Sequence, residues 1–154
     1  MPCPDDRPPQ LLPERPLDPI LFEQLVCDVA NRWGVRVDVM RRVLDMLYEN
    51  EEETGRRGSI VSGHRTLRLQ RCLGQSGRPT ADPSRSTHTT CPATGVDVGI
   101  GLAPTRVQKA ILGRIARLRG LRWGGGSPVD DNGIPSDWNH FDVGPRGGPA
   151  FPSP

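Results

Sequence analysis

No stretch of this chain approaches the roughly 20 consecutive apolar residues that a bilayer-spanning helix needs, so membrane insertion is not expected. The opening residues MPCPDDRPPQ lack the basic start and apolar run of a secretory signal, so the protein is expected to be soluble where it is made. Charge of one sign is not in excess: 20 Lys and Arg against 18 Asp and Glu leave a net charge of +2. That excludes the strong basic signature of a nucleic-acid-binding protein. No Cys-x-x-Cys pair occurs, and the scatter of Cys3, Cys27, Cys72 and Cys91 matches neither a zinc knuckle nor a disulfide framework. Apolar residues are sparse at 34%, whereas 18 glycines and 17 prolines are many. A chain of 154 residues with this balance is expected to be one loop-rich domain, with room for a small helical addition and not for a second full domain.

Prolines interrupt every period up to Leu17, so residues 1–17 read as an extended arm that is ordered only where it packs on something. Asp18 can cap a helix with Pro19 in its first turn, and Ile20, Leu21, Leu25, Val26, Val29 and Trp33 recur at helical spacing until Gly34 stops it. Asp38 is expected to cap a second helix with Met40, Val43, Leu44, Met46, Leu47 and Tyr48 on its apolar face. The pair predicts a helical hairpin, 18–57, serving as core or docking surface, and the acidic run Glu49 to Glu53 reads as a solvated helix end. Ser59 to Ser62 predicts a short strand, Leu67 to Leu73 a short helix, Gly74 to Arg85 a long loop and Val96 to Leu102 a strand. Pro104 opens a core helix carrying Val107, Ile111, Leu112, Ile115 and Leu118, whose surrounding basic residues read as a solvated face. Leu121 to Trp123 and Asn139 to Val143 predict strands, and a Gly/Pro-rich tail fills 145–154.

Only three histidines occur, His64, His88 and His140, each at a predicted strand edge. A catalytic zinc site needs three imidazole or carboxylate ligands, an open position and a nearby base. His88 and Asp97 flank a turn-rich segment that can bring them together, and Asp137 precedes His140 by three positions across Ser136 to Trp138. A turn there sets the carboxylate beside the imidazole. Arg65, after a strand and a glycine, has the planar fork that grips a carboxylate or polarises a carbonyl. Taken singly each has an ordinary reading: His88 as a loop histidine, Asp97 as a turn or salt-bridge carboxylate, Asp137 as a cap, His64 as a surface histidine. Cys91 lies between His88 and Asp97 and offers two rival readings, a soft fourth ligand that closes a structural site or a nucleophile with His88 as base.

The motifs Ser62-Gly63-His64-Arg65, Ser86-Thr87-His88, Gly95-Val96-Asp97, Gly124-Gly125 and Asp137-Trp138-Asn139-His140-Phe141 occur in that order between Ile60 and Val143. This order resembles the M15-type zinc peptidases, which comprise D-Ala-D-Ala carboxypeptidases and dipeptidases and the L-alanyl-D-glutamate endopeptidases of phage lysins. The family's S-x-H-x-x-G-x-A-x-D pattern is stretched by about two residues here, and its aromatic before the arginine is His64. The resemblance implies an α+β fold, a small antiparallel sheet with flanking helices, as a catalytic domain over 58–144 behind the N-terminal hairpin. It implies that His88, Asp97 and His140 bind Zn2+, that Asp137 is the general base, and that Arg65 contacts the substrate near the scissile amide. Ser86, His64 and Trp138 are implied to shape the substrate site.

The implied substrate is a peptidoglycan stem or cross-link peptide, cut by D,D- or L,D-cleavage. The implied setting is a protein made in the cytoplasm that meets the wall after release or as part of a phage particle. The rival is a virion or tail protein, structural or for assembly, that keeps the peptidase fold while its hairpin and terminal arms contact other virion proteins.

Overall fold

In the computed structural model, which describes residues 7–77 and 86–144, the proline-rich arm does find something to pack on. Gln10–Leu11 forms a short strand, β1, paired antiparallel with β2 (Ser59–Ser62), and Leu12 behind it is fully buried. Tyr48 donates its hydroxyl to the Pro13 carbonyl at 2.8 Å, tying the arm to the hairpin. Residues 1–6 of the arm, the Gly/Pro tail after Gly144 and most of the expected 74–85 loop lie outside the described residues.

Helix α1 (Pro19–Trp33) begins and ends as its sequence dictates. The Asp18 carboxylate accepts from Ile20 N, and Gly34 closes the helix at φ 64, a left-handed conformation that a side chain disfavours. Helix α2 (Val37–Thr54) departs from expectation at its start: Arg36 occupies the cap position, while Asp38 lies inside the first turn and pairs with the Arg36 guanidinium. The acidic end of α2 is also not simply solvated. Glu53 and Glu49 receive Arg114 and Arg119 at 2.7 and 2.8 Å, so ion pairs strap α2 to the later core helix. These pairs are exposed enough to contribute little individually. The helices are held by apolar burial: Val26, Val29, Val39, Met40, Val43, Leu44 and Leu47 are buried in the same cluster as Val96, Val98, Leu112, Ile115 and Phe141. Each such side chain contributes about 1.5–3 kcal/mol when fully removed from water.

Helix α3 (Leu67–Gln75), capped by Thr66, runs further than expected into the segment read as loop. Cys72 on it is disulfide-bonded, a link that the spacing of the cysteines does not reveal. Strand β3 (Gly95–Gly99) stops earlier than the apolar alternation suggests, because Gly101 and Ala103 take positive φ of 90 and 43 and turn the chain away. Helix α4 (Arg106–Leu118) is opened by Thr105 and Gln108 in a reciprocal capping box, with Pro104 just outside it. Strands β4 (Arg122–Trp123) and β5 (His140–Asp142) complete an antiparallel sheet of order β1-β2-β3-β5-β4. The architecture is therefore α+β, with four α-helices and a small five-stranded sheet among the described residues. Among the described residues no helix is long and apolar enough to cross a membrane.

Candidate metal centre

Sheet register assembles the site. Asp97 on β3 lies directly opposite His140 on β5, so the two side chains share one face, while the flanking pair Val96 and Phe141 points into the apolar core. One strand further, Asp142 lies opposite Arg122, which places an arginine–carboxylate pair beside the histidine. His88 arrives from the loop before β3. Its backbone carbonyl accepts from Arg65 N at 2.7 Å, and the Thr87 carbonyl accepts from Thr94 and Gly95 at 3.0 and 3.2 Å, closing the loop onto the strand. The long His88–Asp97 spacing is thereby absorbed between Thr89 and Thr94. Gly95 has no room for a side chain, since a Cβ would stand 2.1 Å from Thr87 Oγ1 and 2.9 Å from His140 Cε1.

The three donor atoms converge. His88 Nε2 lies 3.1 Å from His140 Nδ1 and 3.2 Å from Asp97 Oδ1, and His140 Nδ1 lies 2.9 Å from Asp97 Oδ1. Ligands 2.0–2.1 Å from a tetrahedral ion stand about 3.3 Å apart, so this triangle is already close to metal size. All three residues are buried, and together they can hold a metal ion. The outer nitrogens are fixed as ligating imidazoles require. His88 Nδ1–H donates to the Gly63 carbonyl at 2.7 Å, and His140 Nε2–H donates to Asp142 Oδ2 at 2.7 Å. Gly63 is held to glycine because a Cβ would meet Trp33 O at 2.5 Å, and this close approach aims its carbonyl at His88.

Two arginines hold the carboxylates. Arg65 is buried, and its guanidinium donates to Ser62 Oγ at 2.9 Å, Gln70 Oε1 at 3.1 Å and Asp97 Oδ2 at 2.6 Å. Arg122 grips Asp142 through two nitrogens, both at 2.8 Å. Burial opposes ionisation of Asp97, but the charges of His88 and Arg65 and hydrogen bonds from His140 and His88 hold it well below the usual carboxylate range. Asp142 is also lowered: burial opposes ionisation, and the hydrogen bonds from His140 and Arg122 overcome it. For His140 burial again disfavours the charge, yet hydrogen bonds to Asp142 and Asp97 push its pKa up to about 10. His88 moves the other way, lowered by burial and by the Arg65 charge.

Asp137 sits in the turn at 136–139 that precedes β5, its backbone N donating to Ser127 Oγ at 3.1 Å. Ser127 in turn donates to the Gly124 carbonyl at 2.7 Å, so the Gly124-Gly125 turn supports the residue. Its carboxyl takes no hydrogen bond from the described residues. Burial and the nearby Asp97 charge raise its pKa to about 6. The remaining anticipated residues are placed differently. Ser86 is buried and caps its own loop, accepting from His88 N at 3.1 Å. His64 packs its Cβ on Gly34 and lines a cavity of about 240 Å3 with Trp33, Ser62, Thr66 and Leu69, apart from the three metal-type residues. Trp138 is half-buried, with the Lys109 ammonium 4.9 Å from its ring centroid. Cys91 is exposed and outside the metal-type group, and both ring nitrogens of His88 are engaged elsewhere, by the Gly63 carbonyl and by Asp97 with His140.

Asp142 has no place in the sequence reading, although its signal is there: His-x-Asp within a strand puts both side chains on one face. Asp142→Asn is expected to weaken metal affinity about 10–100-fold while leaving the three ligands in place. Competition against a chromophoric chelator measures this, and an unchanged affinity would show that His140 needs no such partner.

The fold and site together define an α+β protein with a buried His–Asp–His group able to hold a metal ion. No family model and no curated protein matches the chain. Among solved structures, the chain is similar to the Serratia marcescens L-Ala D-Glu endopeptidase ChiX, with 23% identity and a TM-score of 0.46, over 72% of this chain and 81% of that one.

Proposed function

We propose that the protein is a zinc-dependent peptidase that hydrolyses peptidoglycan stem or cross-link peptides. The observation that carries this reading is the metal-sized triangle of His88 Nε2, Asp97 Oδ1 and His140 Nδ1 with the Asp137 carboxyl beside it. It supports the zinc-peptidase resemblance of the motifs that supply those residues. Two imidazoles and one carboxylate suit zinc, and three protein ligands leave a position open for substrate or water. Zinc held there would supply a Lewis acid for the peptide carbonyl and lower the pKa of a water molecule.

The chain's own residues do the rest. Burial and the Asp97 charge raise the Asp137 pKa to about 6 in the metal-free protein, and its carboxylate is the group placed to take the proton of the attacking water. As the C–N bond breaks, that proton passes to the leaving amine. Arg65 acts first as a positioning residue, holding Asp97 Oδ2 so that Oδ1 faces the centre. Guanidinium N–H groups beyond those bonds are the ones offered to the substrate carbonyl. Trp138, next to Asp137, is assigned to the substrate wall, and Ser86 supports His88 from behind. The protein would meet its substrate outside the cytoplasm, on release or as part of a phage particle.

The test is digestion of purified cell walls by metal-loaded protein, followed by mass analysis of the released ends. New amine termini are expected, lost on chelation and restored by zinc. Termini at D-alanine would assign D,D-cleavage, and those at D-glutamate L,D-cleavage. Fully loaded protein that releases no termini would favour the structural virion role instead.

A further inference from the structure

The outer face of α4 carries four cations, and they divide into two kinds. Arg106 donates to Asn132 at 2.8 Å and Arg114 pairs with Glu53 at 2.7 Å, so both are engaged by polar groups of the fold. Lys109 and Arg117 have no carboxylate partner among the described residues, and each sits over an indole instead. Lys109 Nζ is 4.9 Å from the Trp138 ring centroid and Arg117 Cζ 5.6 Å from that of Trp123. Lys109 is also the only lysine among the 20 basic residues of the chain, so a compact, flexible point charge stands where arginine is otherwise used throughout.

The two cation–indole pairs are physically joined. Trp123 Nε1 donates to the Trp138 carbonyl at 2.7 Å, and Trp138 is the residue after Asp137. The Trp123 ring lies on α4 because Gly113 has no side chain: a Cβ there would fall 2.4 Å from the ring. Alongside runs a groove of about 490 Å3, lined by Ala110, Leu118, Trp123 and Ile134 with Arg117 and Asn132 among its polar residues. A track of half-buried indoles and unmatched positive charges thus leads from the Asp137 turn along the helix.

We propose that this track binds the anionic glycan–peptide polymer on one side of the bond to be cut. Sugar rings lie on the apolar groove surface of Ala110, Leu118 and Ile134, and carboxylates meet Lys109 and Arg117. Three features select that occupant. The groove offers apolar surface beside the cations, the two cations have no carboxylate partner among the described residues, and the track is continuous with the Asp137 turn. The identity of the polymer rests on the peptidase reading above.

Binding is tested without turnover. Metal-loaded Asp137→Asn protein is co-sedimented with purified peptidoglycan sacculi, alone and with Lys109→Gln plus Arg117→Gln. The double substitution is expected to weaken binding at least tenfold, while Lys109→Arg with Arg117→Lys binds within about twofold of the parent. Sacculi whose carboxyls have been amidated are expected to bind the parent as weakly as native sacculi bind the Gln variant. Equal binding by the Gln variant, or by amidated sacculi, overturns the track, as does a parent that does not sediment with sacculi. Thermal melts verify that the variants are folded. Cleavage of a soluble stem peptide by the unsubstituted protein reports separately on the peptidase reading. Cleavage with substitution-insensitive sacculus binding sinks the track alone. Substitution-sensitive binding without cleavage sinks the peptidase alone.

Discussion

Asp137→Asn is expected to lower kcat by about 10²–10⁴-fold and, in the same molecule, to make the metal-free fold more stable at neutral pH. The two effects have one cause. Burial and the Asp97 charge disfavour the Asp137 carboxylate, raising its pKa from 3.8 to about 6. The sign follows from linkage: a carboxyl with a raised folded pKa contributes most below its unfolded pKa near 3.9, and the contribution is lost as pH rises through about 6. At pH 7 the ionised group therefore costs the metal-free fold on the order of 2–3 kcal/mol. Asparagine keeps the shape and removes the charge. Thermal melts of metal-free protein should show the variant several degrees above the parent at pH 7 and level with it near pH 4. A residue that merely caps the turn would lose stability on substitution at both pH values. Loss of turnover joined to a gain in stability is the signature of a group held in an unfavourable ionic state for its chemistry.

The residues of the candidate metal centre were largely legible in the sequence because chemistry limits them to few types at suggestive spacings. His88, Asp97 and His140 meet as their motif order suggests, and Asp137 occupies the turn expected between Ser136 and Trp138. Helix α1 was legible to its ends because Asp18, Pro19 and Gly34 each have one strong local preference. What escaped was non-local. Asp142 matters through β-sheet register, which brings Arg122 opposite it and His140 onto its face, and no local pattern states which strands pair. The α2–α4 ion pairs join residues 61 and 70 positions apart, so the Glu49 to Glu53 run and the arginines of the later helix each looked solvated when read alone. The start of α2 failed for another reason: Asp38 is a good cap by type, but helical conformation reaches back to Val37 and turns it toward Arg36. The placement of Arg65 is likewise a matter of packing. Its position after Gly63 was visible, and its commitment to Asp97 needed β2 and β3 side by side.

Loading the centre with zinc at pH 8 is expected to release at least one proton, and His140 is the source of the first. In the metal-free protein His140 stands between two carboxylates, Nδ1 on Asp97 at 2.9 Å and Nε2 on Asp142 at 2.7 Å, and is protonated with a pKa of about 10. That imidazolium supplies positive charge where the ion would sit. His88 releases nothing, because burial and Arg65 keep it neutral, and Asp97 is already ionised. Metal affinity should therefore rise about tenfold per pH unit across the range where His140 is protonated. Calorimetry in buffers of different ionisation enthalpy counts the proton directly. The stability of the metal-free fold carries the complementary sign. His140 has a raised folded pKa, so its contribution is complete below about pH 6.5 and is lost as pH climbs through about 10. Metal-free protein should melt lower at pH 9.5 than at pH 7, whereas zinc-loaded protein should be much less sensitive, since its His140 proton has already gone. His140→Ala should remove near-stoichiometric zinc, the proton release and this alkaline sensitivity together. A release of zero protons, or an alkaline loss equal in loaded and metal-free protein, would mean that the ion does not occupy the Nδ1 position of His140.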